Sequence, residues 1–549
     1  ILAQAAVLAR AEDRVIRRSA SMVLDQRSFI AQLAQDAKQL TNVAPRLQRG
    51  LGNVVAGVVD QLSTSPLDFV YQLLQNADDK DYSQDVVPEM GFSIQPTKGG
   101  FVHAWDNGLP LSAEQVEALV TFRSTKRDDK GTIGEKGIGW HSVFRVTDEP
   151  HVYSGGFSFK LGGLGSAGGL ESMLTPQWVE ESELPFDPRP GTNFYLPLRD
   201  LDDATLRDLE KLQERFSPLT LLFLRKLRRV SLEPRRFTAE AQGDVWSVRV
   251  QTSRQKLERV VQQVIVVRRQ AAQPPPEMQA RNAEVVLAFP LAPSGPQSLF
   301  AWLPVAPSGL NFLVHADFAT TLSREALLAD PWNAWLWAQM PGALVGAVEE
   351  LVSLQDGPLY STWPELWPTG DLHVPELHAA VAEASERLRD LPVVATSQGL
   401  RRPSACVLAG EEERALVPDA ELALLGRFYP LHASAPAAAA LTRLGAEAFG
   451  PELLRRYVEE HPSSLLERFG AETRLLDRLV TYLQRHDARD VPCLPVATAH
   501  GLQLQAPGAQ LLAVSDDQVN QLSDMGLPVV LARTGRRARA WLEGAGLRR

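Results

Sequence analysis

Apolar and polar positions alternate at helical spacing in the segment around residue 74. The apolar positions are Val70, Leu73, Leu74 and Ala77. Steps of three and four predict an amphipathic helix with one buried face. The polar face then carries Gln72, Asn76 and Asp79 together. The amide oxygen of Asn76 is a hard ligand suited to Mg²⁺ that bridges nucleotide phosphates, although a solvated helix face is the simpler interpretation of this segment alone.

Two strands are predicted next, over 91–95 and 100–106, as a β-hairpin that ends in Asp106-Asn107-Gly108. A carboxylate at a strand end is able to accept a hydrogen bond from an adenine amino group, and Gly108 leaves room for a flat base. The same tripeptide is also an ordinary turn signal. A later strand is predicted to begin at Thr192, whose hydroxyl would complete a base pocket from the opposite wall, while a lone threonine in a strand is usually structural.

Glycines punctuate the segment between 131 and 142. They are Gly131, Gly134, Gly137 and Gly139. A glycine-rich loop that runs into a helix exposes backbone N–H groups, which cradle phosphate oxygens. The charged run 124–130 before it is typical of a mobile lid, and a surface loop without a ligand is the alternative. The spacing matches neither a P-loop nor a dinucleotide-binding fingerprint.

These motifs in this order resemble the GHKL superfamily of ATPases, which includes gyrase B, the ninety-kilodalton heat-shock chaperones, histidine kinases and MutL. Segments 73–79, 132–139 and 142–150 are closer to its sacsin and NO VEIN branch, as are 299–304 and 316–333. The resemblance implies a Bergerat-type α/β sandwich that binds ATP with Mg²⁺.

The resemblance also implies a role for each motif residue. The implied roles are Mg²⁺ binding by Asn76, adenine contacts by Asp106, Gly108 and (through water) Asp79, a phosphate lid formed by Gly134, Gly137, Ile138 and Gly139, and support of the base by Thr192. Positive charge at the γ-phosphate is a further requirement of phosphoryl transfer. Arg324 is the candidate for it, with an ordinary surface arginine as the alternative.

Position 72 departs from the superfamily, which carries there the Glu that activates the attacking water. Gln72 is able to hydrogen-bond that water, but its amide cannot accept a proton near neutral pH. Because removal of a general base typically costs ~10²–10⁴ in rate, we expect ATP binding with impaired hydrolysis. Two explanations fit: a natural ATP-gated switch, or a deliberate substitution that traps ATP. A first residue of Ile1 rather than Met slightly favours the second.

Composition limits the remaining alternatives. A net charge of −10 argues against a general nucleic-acid coat. Cys406 and Cys493 are too few for a zinc site and predict buried thiols in a reducing cytosol. We expect no signal peptide, and the best apolar stretch, 334–348, is too short to span a membrane. The sequence therefore predicts a cytoplasmic protein without a membrane partner.

The predicted fold class is α+β, in four parts. These are an N-terminal helical segment 1–65, the ATP-binding domain 66–201, a transducer-like α/β middle domain 202–355, and a helical α/β region 356–549. The last part contains a duplication, because 391–400 and 494–502 share the pattern of a strand, a glycine turn and a return strand.

Three functions from different classes fit these features. The first is an ATP-driven conformational switch of the sacsin and chaperone type, which would form an ATP-dependent homodimer and act on a protein client. The second is an ATP-gated subunit of a bacterial phage-defence or DNA-processing complex, and strong salt-dependent DNA affinity would favour it. The third is a histidine kinase, which is the weakest because no helix with a phosphoacceptor histidine precedes the site.

Overall fold

The structure is a computed structural model of the 549-residue chain. It describes residues 25–42, 68–121, 139–162, 170–180, 186–252, 255–275, 278, 283–292, 294–321, 326–472, 474–498, 501–507, 512–514, 529–531 and 536–544. These residues form a mixed α+β fold with one large mixed sheet. They belong to two compact units, one of 1–308 with 312–339 and one of 309–311 with 340–549.

The large sheet of the first unit has fourteen strands among the described residues. Its strands are β1 Glu89–Gln95, β2 Phe101–Asp106, β3 His151–Ser154, β4 Phe157–Lys160, β5 Gln177–Trp178, β6 Thr192–Pro197, β7 Arg229–Leu232, β8 Arg235–Gln242, β9 Val245–Thr252, β10 Gln255–Gln270, β11 Glu284–Pro290, β12 Ser298–Ala301, β13 Leu303–Pro307 and β14 Leu313–Ala316. They lie in the order β13-β12-β14-β11-β10-β9-β8-β7-β1-β2-β6-β3-β4-β5.

The hairpin predicted for 91–106 is confirmed, since β1 and β2 pair antiparallel. The predicted strand that begins at Thr192 is confirmed as β6, which pairs antiparallel with β2. On its other side β1 pairs in parallel with β7, from Glu89↔Arg229 to Phe92↔Leu232. The sheet is therefore continuous across position 201, where the sequence predicts a domain boundary. The boundaries at 65, 201 and 355 stay predictions.

Helices cover the sheet of the first unit. The α-helices are Gln26–Asn42, Asp68–Asp78, Ala113–Thr121, Leu170–Leu174, Asp203–Glu210 and Leu212–Arg215, and the 3₁₀ helices are Gly139–Arg145 and Pro218–Leu222. The Asp68–Asp78 helix is amphipathic as predicted, because Val70, Leu73, Leu74 and Ala77 are all buried. They pack with sheet residues such as Phe92 and Val102 in one apolar core, and burial of such side chains is the main favourable term in holding the helix on the sheet. The rest of the predicted helical segment 1–65, outside 25–42, lies beyond the described residues.

The second unit is mainly helical with small sheets. Its α-helices are Pro375–Leu388, Glu411–Leu416, Asp419–Leu424, Ala435–Arg443, Pro451–Glu460, Pro462–Ala471, Leu475–His486 and Arg536–Gly544, preceded by Pro331–Ser353, which the unit boundary divides; its 3₁₀ helices are Trp363–Leu366 and Pro403–Ala405. Its strands are β15 Val394–Thr396, β16 Gly399–Arg401, β17 Val407–Leu408, β18 Glu447–Ala448, β19 Leu494–Thr498, β20 Gly501–Gln505, β21 Leu512–Val514 and β22 Val529–Leu531. Both predicted copies of the repeat form antiparallel hairpins, β15 with β16 and β19 with β20.

The predicted burial of both thiols is confirmed. Cys406 and Cys493 are buried, and burial raises the pKa of each thiol to about 12. Within the described ranges, no cluster of three or more His, Cys, Asp or Glu residues is placed to hold a metal ion. The described helices include none with the length and apolar character that a membrane crossing requires.

Candidate functional site

Three buried polar side chains lie side by side at the ends of three neighbouring strands of the sheet. Asp106 ends β2, Thr192 begins β6 and Ser154 ends β3, and the strand register pairs Thr192 with both of the others. Each of the three residues is at most 3% exposed. The hydroxyl oxygens of Ser154 and Thr192 lie 2.7 Å apart. The ladder thus sets a carboxylate and two hydroxyls in a row.

Two glycines allow the backbone to close around Asp106. Gly191 has a φ of +96°, and a Cβ at this position would lie 2.1 Å from the Asp106 carbonyl oxygen. Only glycine fits so close an approach in this conformation. Gly108 donates its N–H to Asp106 Oδ1 over 3.0 Å. The Gly-Thr and Asp-x-Gly motifs, which are more than 80 residues apart in the chain, therefore meet at one point.

The Asp68–Asp78 helix ends close to this point, since Lys80, two residues after it, contacts Asp106 and Thr192. Gln72 and Asn76 are half-buried on this helix, and Asp79, also half-buried, follows the last helical turn. The 3₁₀ helix Gly139–Arg145 packs against the same helix, and it begins at Gly139, the last glycine of the glycine-rich segment. Gly134, Gly137, Ile138 and Arg324 lie outside the described residues.

Lys80 is a member of the site that the sequence analysis missed. Its ammonium lies 2.9 Å from both carboxylate oxygens of Asp106 and 2.5 Å from the Thr192 hydroxyl. The pair is desolvated, since the side chains of Lys80 and Asp106 are 10% and 2% exposed. Burial raises the pKa of Asp106, and the charge of Lys80 acts in the opposite direction. The ammonium thus supplies the compensation that a buried carboxylate requires.

Asp78 is a second residue that the sequence analysis missed. Its carboxylate is buried and accepts the backbone N–H groups of Arg225, Lys226 and Leu227 over 2.7–2.8 Å. Burial raises the pKa of Asp78, while these three hydrogen bonds act to lower it. The Lys226 ammonium adds contacts of 2.7 Å to the Lys80 carbonyl and 2.9 Å to Asp81. The end of the Asp68–Asp78 helix, from here on called the site helix, is therefore hydrogen-bonded to the segment that leads into β7.

The chemistry of these groups fits a nucleotide with a magnesium ion. The buried carboxylate of Asp106 and hydroxyl of Thr192 complement the hydrogen-bonding edge of a base. Asn76 offers an uncharged oxygen, the kind of ligand that Mg²⁺ accepts beside phosphates and water. Gln72 lies one turn before Asn76 on the same helix, and its amide is able to orient water without taking a proton.

Comparisons with known proteins give a similar sequence and a structural neighbour. The chain matches no protein-family model. It is 29% identical over 359 residues to Protein NO VEIN of Arabidopsis thaliana, an alignment that covers 59% of this chain and 13% of that protein. The crystal structure of the B-subunit of the DNA gyrase from Myxococcus xanthus matches with a TM-score of 0.31 and 11% identity, over 53% of this chain and 91% of that chain. The chain thus spans only a small part of the length of Protein NO VEIN, to which its sequence is similar.

Proposed function

We propose that this chain binds ATP with Mg²⁺ and works as a conformational switch of the GHKL type, in the sacsin and NO VEIN branch. The observation that carries the proposal is the meeting of Asp106, Gly108 and Thr192 with the end of the helix that bears Gln72 and Asn76. The sequence similarity to Protein NO VEIN supports the choice of branch.

In this proposal each of four residues has one task. Asp106 accepts a hydrogen bond from the amino group of adenine, and Thr192 supports the base. Asn76 holds Mg²⁺, which neutralises phosphate charge when bound. Gln72 orients the attacking water but accepts no proton, so bound ATP persists and hydrolysis is slow.

Removal of the Asn76 amide tests the proposal. We expect Asn76→Ala to weaken MgATP binding about 10–100-fold, since a hydrogen-bonding or ligand group opposite a charge is worth about 1.5–3 kcal/mol. Affinity for ATP measured without Mg²⁺ stays at the wild-type value, because the lost contact is to the metal. Titration calorimetry with and without Mg²⁺ measures both.

Gln35→Ala is the matched control, because it removes an exposed amide from another helix. It leaves both affinities unchanged. Wild-type protein that binds no MgATP, or an Asn76→Ala variant that keeps the full effect of Mg²⁺, would contradict the proposal.

A further inference from the structure

Lys80 covers all three features of the site that a base would use. Its ammonium contacts the carboxylate of Asp106 and the hydroxyl of Thr192. Its aliphatic stem covers the third feature, since Lys80 Cδ lies 3.1 Å from where a Cβ of Gly108 would stand. The space that glycine leaves beside Asp106 is thus filled by the chain itself.

The hydrogen-bond capacity of the ammonium is fully used in this arrangement. A lysine ammonium has three N–H donors and accepts no hydrogen bond. Lys80 has three acceptors within 2.9 Å, which are the two oxygens of Asp106 and the oxygen of Thr192. No donor is left for a base nitrogen or oxygen, and Asp106 cannot face a base edge while the ammonium spans both its oxygens.

We propose that the Lys80 side chain competes with the base for Asp106 and Thr192, so that a nucleotide binds only by displacing it. This inference rests on the proposed nucleotide-binding function. Under this inference, the Lys80 side chain occupies the position that the base takes when the nucleotide is bound.

The main chain at Lys80 is held, so that the displacement is a movement of the side chain. The Lys80 N–H donates to the Ala77 carbonyl, and the Lys80 carbonyl accepts from Lys226. The neighbouring Asp81 is exposed. On displacement the ammonium therefore leaves a buried partner for solvent, while the main chain at the end of the helix stays in place.

The first test is the affinity of Lys80→Met for ATP. Methionine keeps an unbranched apolar stem and removes the charge. If the ion pair closes the site in about nine molecules of ten, its removal tightens ATP binding about tenfold. The affinity for inorganic tripolyphosphate, which has no base, does not increase. Lys98→Met is the matched control, since it removes an exposed ammonium that does not contact Asp106, and its affinity for ATP does not rise.

The second test follows the ammonium itself. The Lys80 side chain is 10% exposed in this structure, whereas the Lys98 side chain is 75% exposed. We expect saturating MgATP to increase the acetylation of Lys80 by an amine-reactive ester severalfold, with Lys98 labelled equally in both states. Peptide mass spectrometry measures both. A ligand that merely covered the site would lower the labelling of Lys80.

The outcomes separate this inference from the proposed function. Equal or weaker ATP binding by Lys80→Met, or labelling of Lys80 that stays constant or falls with MgATP, overturns the competing role of Lys80. The proposed function still stands in that case if Asn76→Ala loses its Mg²⁺-dependent affinity. Failure of both the wild-type protein and Lys80→Met to bind MgATP overturns the proposed function and this inference with it.

Discussion

We expect Gln72→Glu to raise steady-state ATP hydrolysis ~10²–10⁴-fold, the range that a general base contributes. Gln72 lies one turn before Asn76 on the polar face of the site helix and is half-buried. A carboxylate there reaches the same water as the amide and is able to accept its proton. ATP affinity stays near the wild-type value, because the side chain keeps its length. Phosphate release at saturating MgATP measures the rate.

Two further variants make this result specific to position 72. Gln72→Ala stays at or below the wild-type rate, since it supplies neither a proton acceptor nor a hydrogen bond. Gln35→Glu adds the same charge to an exposed helix face and changes nothing. A Gln72→Glu variant that binds MgATP without faster turnover would show that the missing base does not limit the rate, and ATP would then act as a structural ligand only.

The second large effect concerns stability. We expect Asp78→Ala to destabilise the first unit by about 3–5 kcal/mol, because it leaves the N–H groups of Arg225, Lys226 and Leu227 without their buried acceptor. Hydrogen exchange of these amides, followed in the full chain, measures the local loss. A lower Tm accompanies it.

Asp81→Ala is the control for this prediction. Asp81 is 82% exposed and pairs with Lys226 at the surface, so its removal costs about 0–1 kcal/mol. We expect the loss of stability in Asp78→Asn to lie between those of the two alanine variants. Its one remaining acceptor oxygen keeps the hydrogen bonds from Lys226 and Leu227, while its amide NH₂ faces the N–H of Arg225. Unchanged protection of 225–227 in Asp78→Ala would contradict the role of Asp78 as the anchor.

The parts of the site that sequence predicts are those with local signals. The helix around Asn76 follows from apolar spacing, the β1–β2 hairpin from its strand pattern and turn, and the strand at Thr192 from the preceding glycine. Each signal lies within a few residues of the element that it specifies. The functional roles of all the predicted site residues stay predictions, and Gly134, Gly137, Ile138 and Arg324 also lie outside the part of the chain that the structure describes.

The parts that sequence does not predict depend on partners far along the chain. Lys80 meets Asp106 and Thr192 across 26 and 112 residues, and Asp78 meets Leu227 across 149. Nothing in the segment Asp78-Asp79-Lys80 tells which carboxylate is buried or where the ammonium points. The sequence does not predict the parallel pairing of β1 with β7 either, because a short apolar strand does not specify which strand it pairs with.

That parallel pairing has a mechanical consequence. Rotation of the strands before position 201 against those after it would shear four ladder pairs of β1 with β7 and pull three N–H groups from Asp78 at once. We therefore expect these two groups of strands to move together. We expect a displacement of the end of the Asp68–Asp78 helix to move the main chain at 225–227 through these hydrogen bonds. β7 follows this segment and pairs with β8, which in turn pairs with β9.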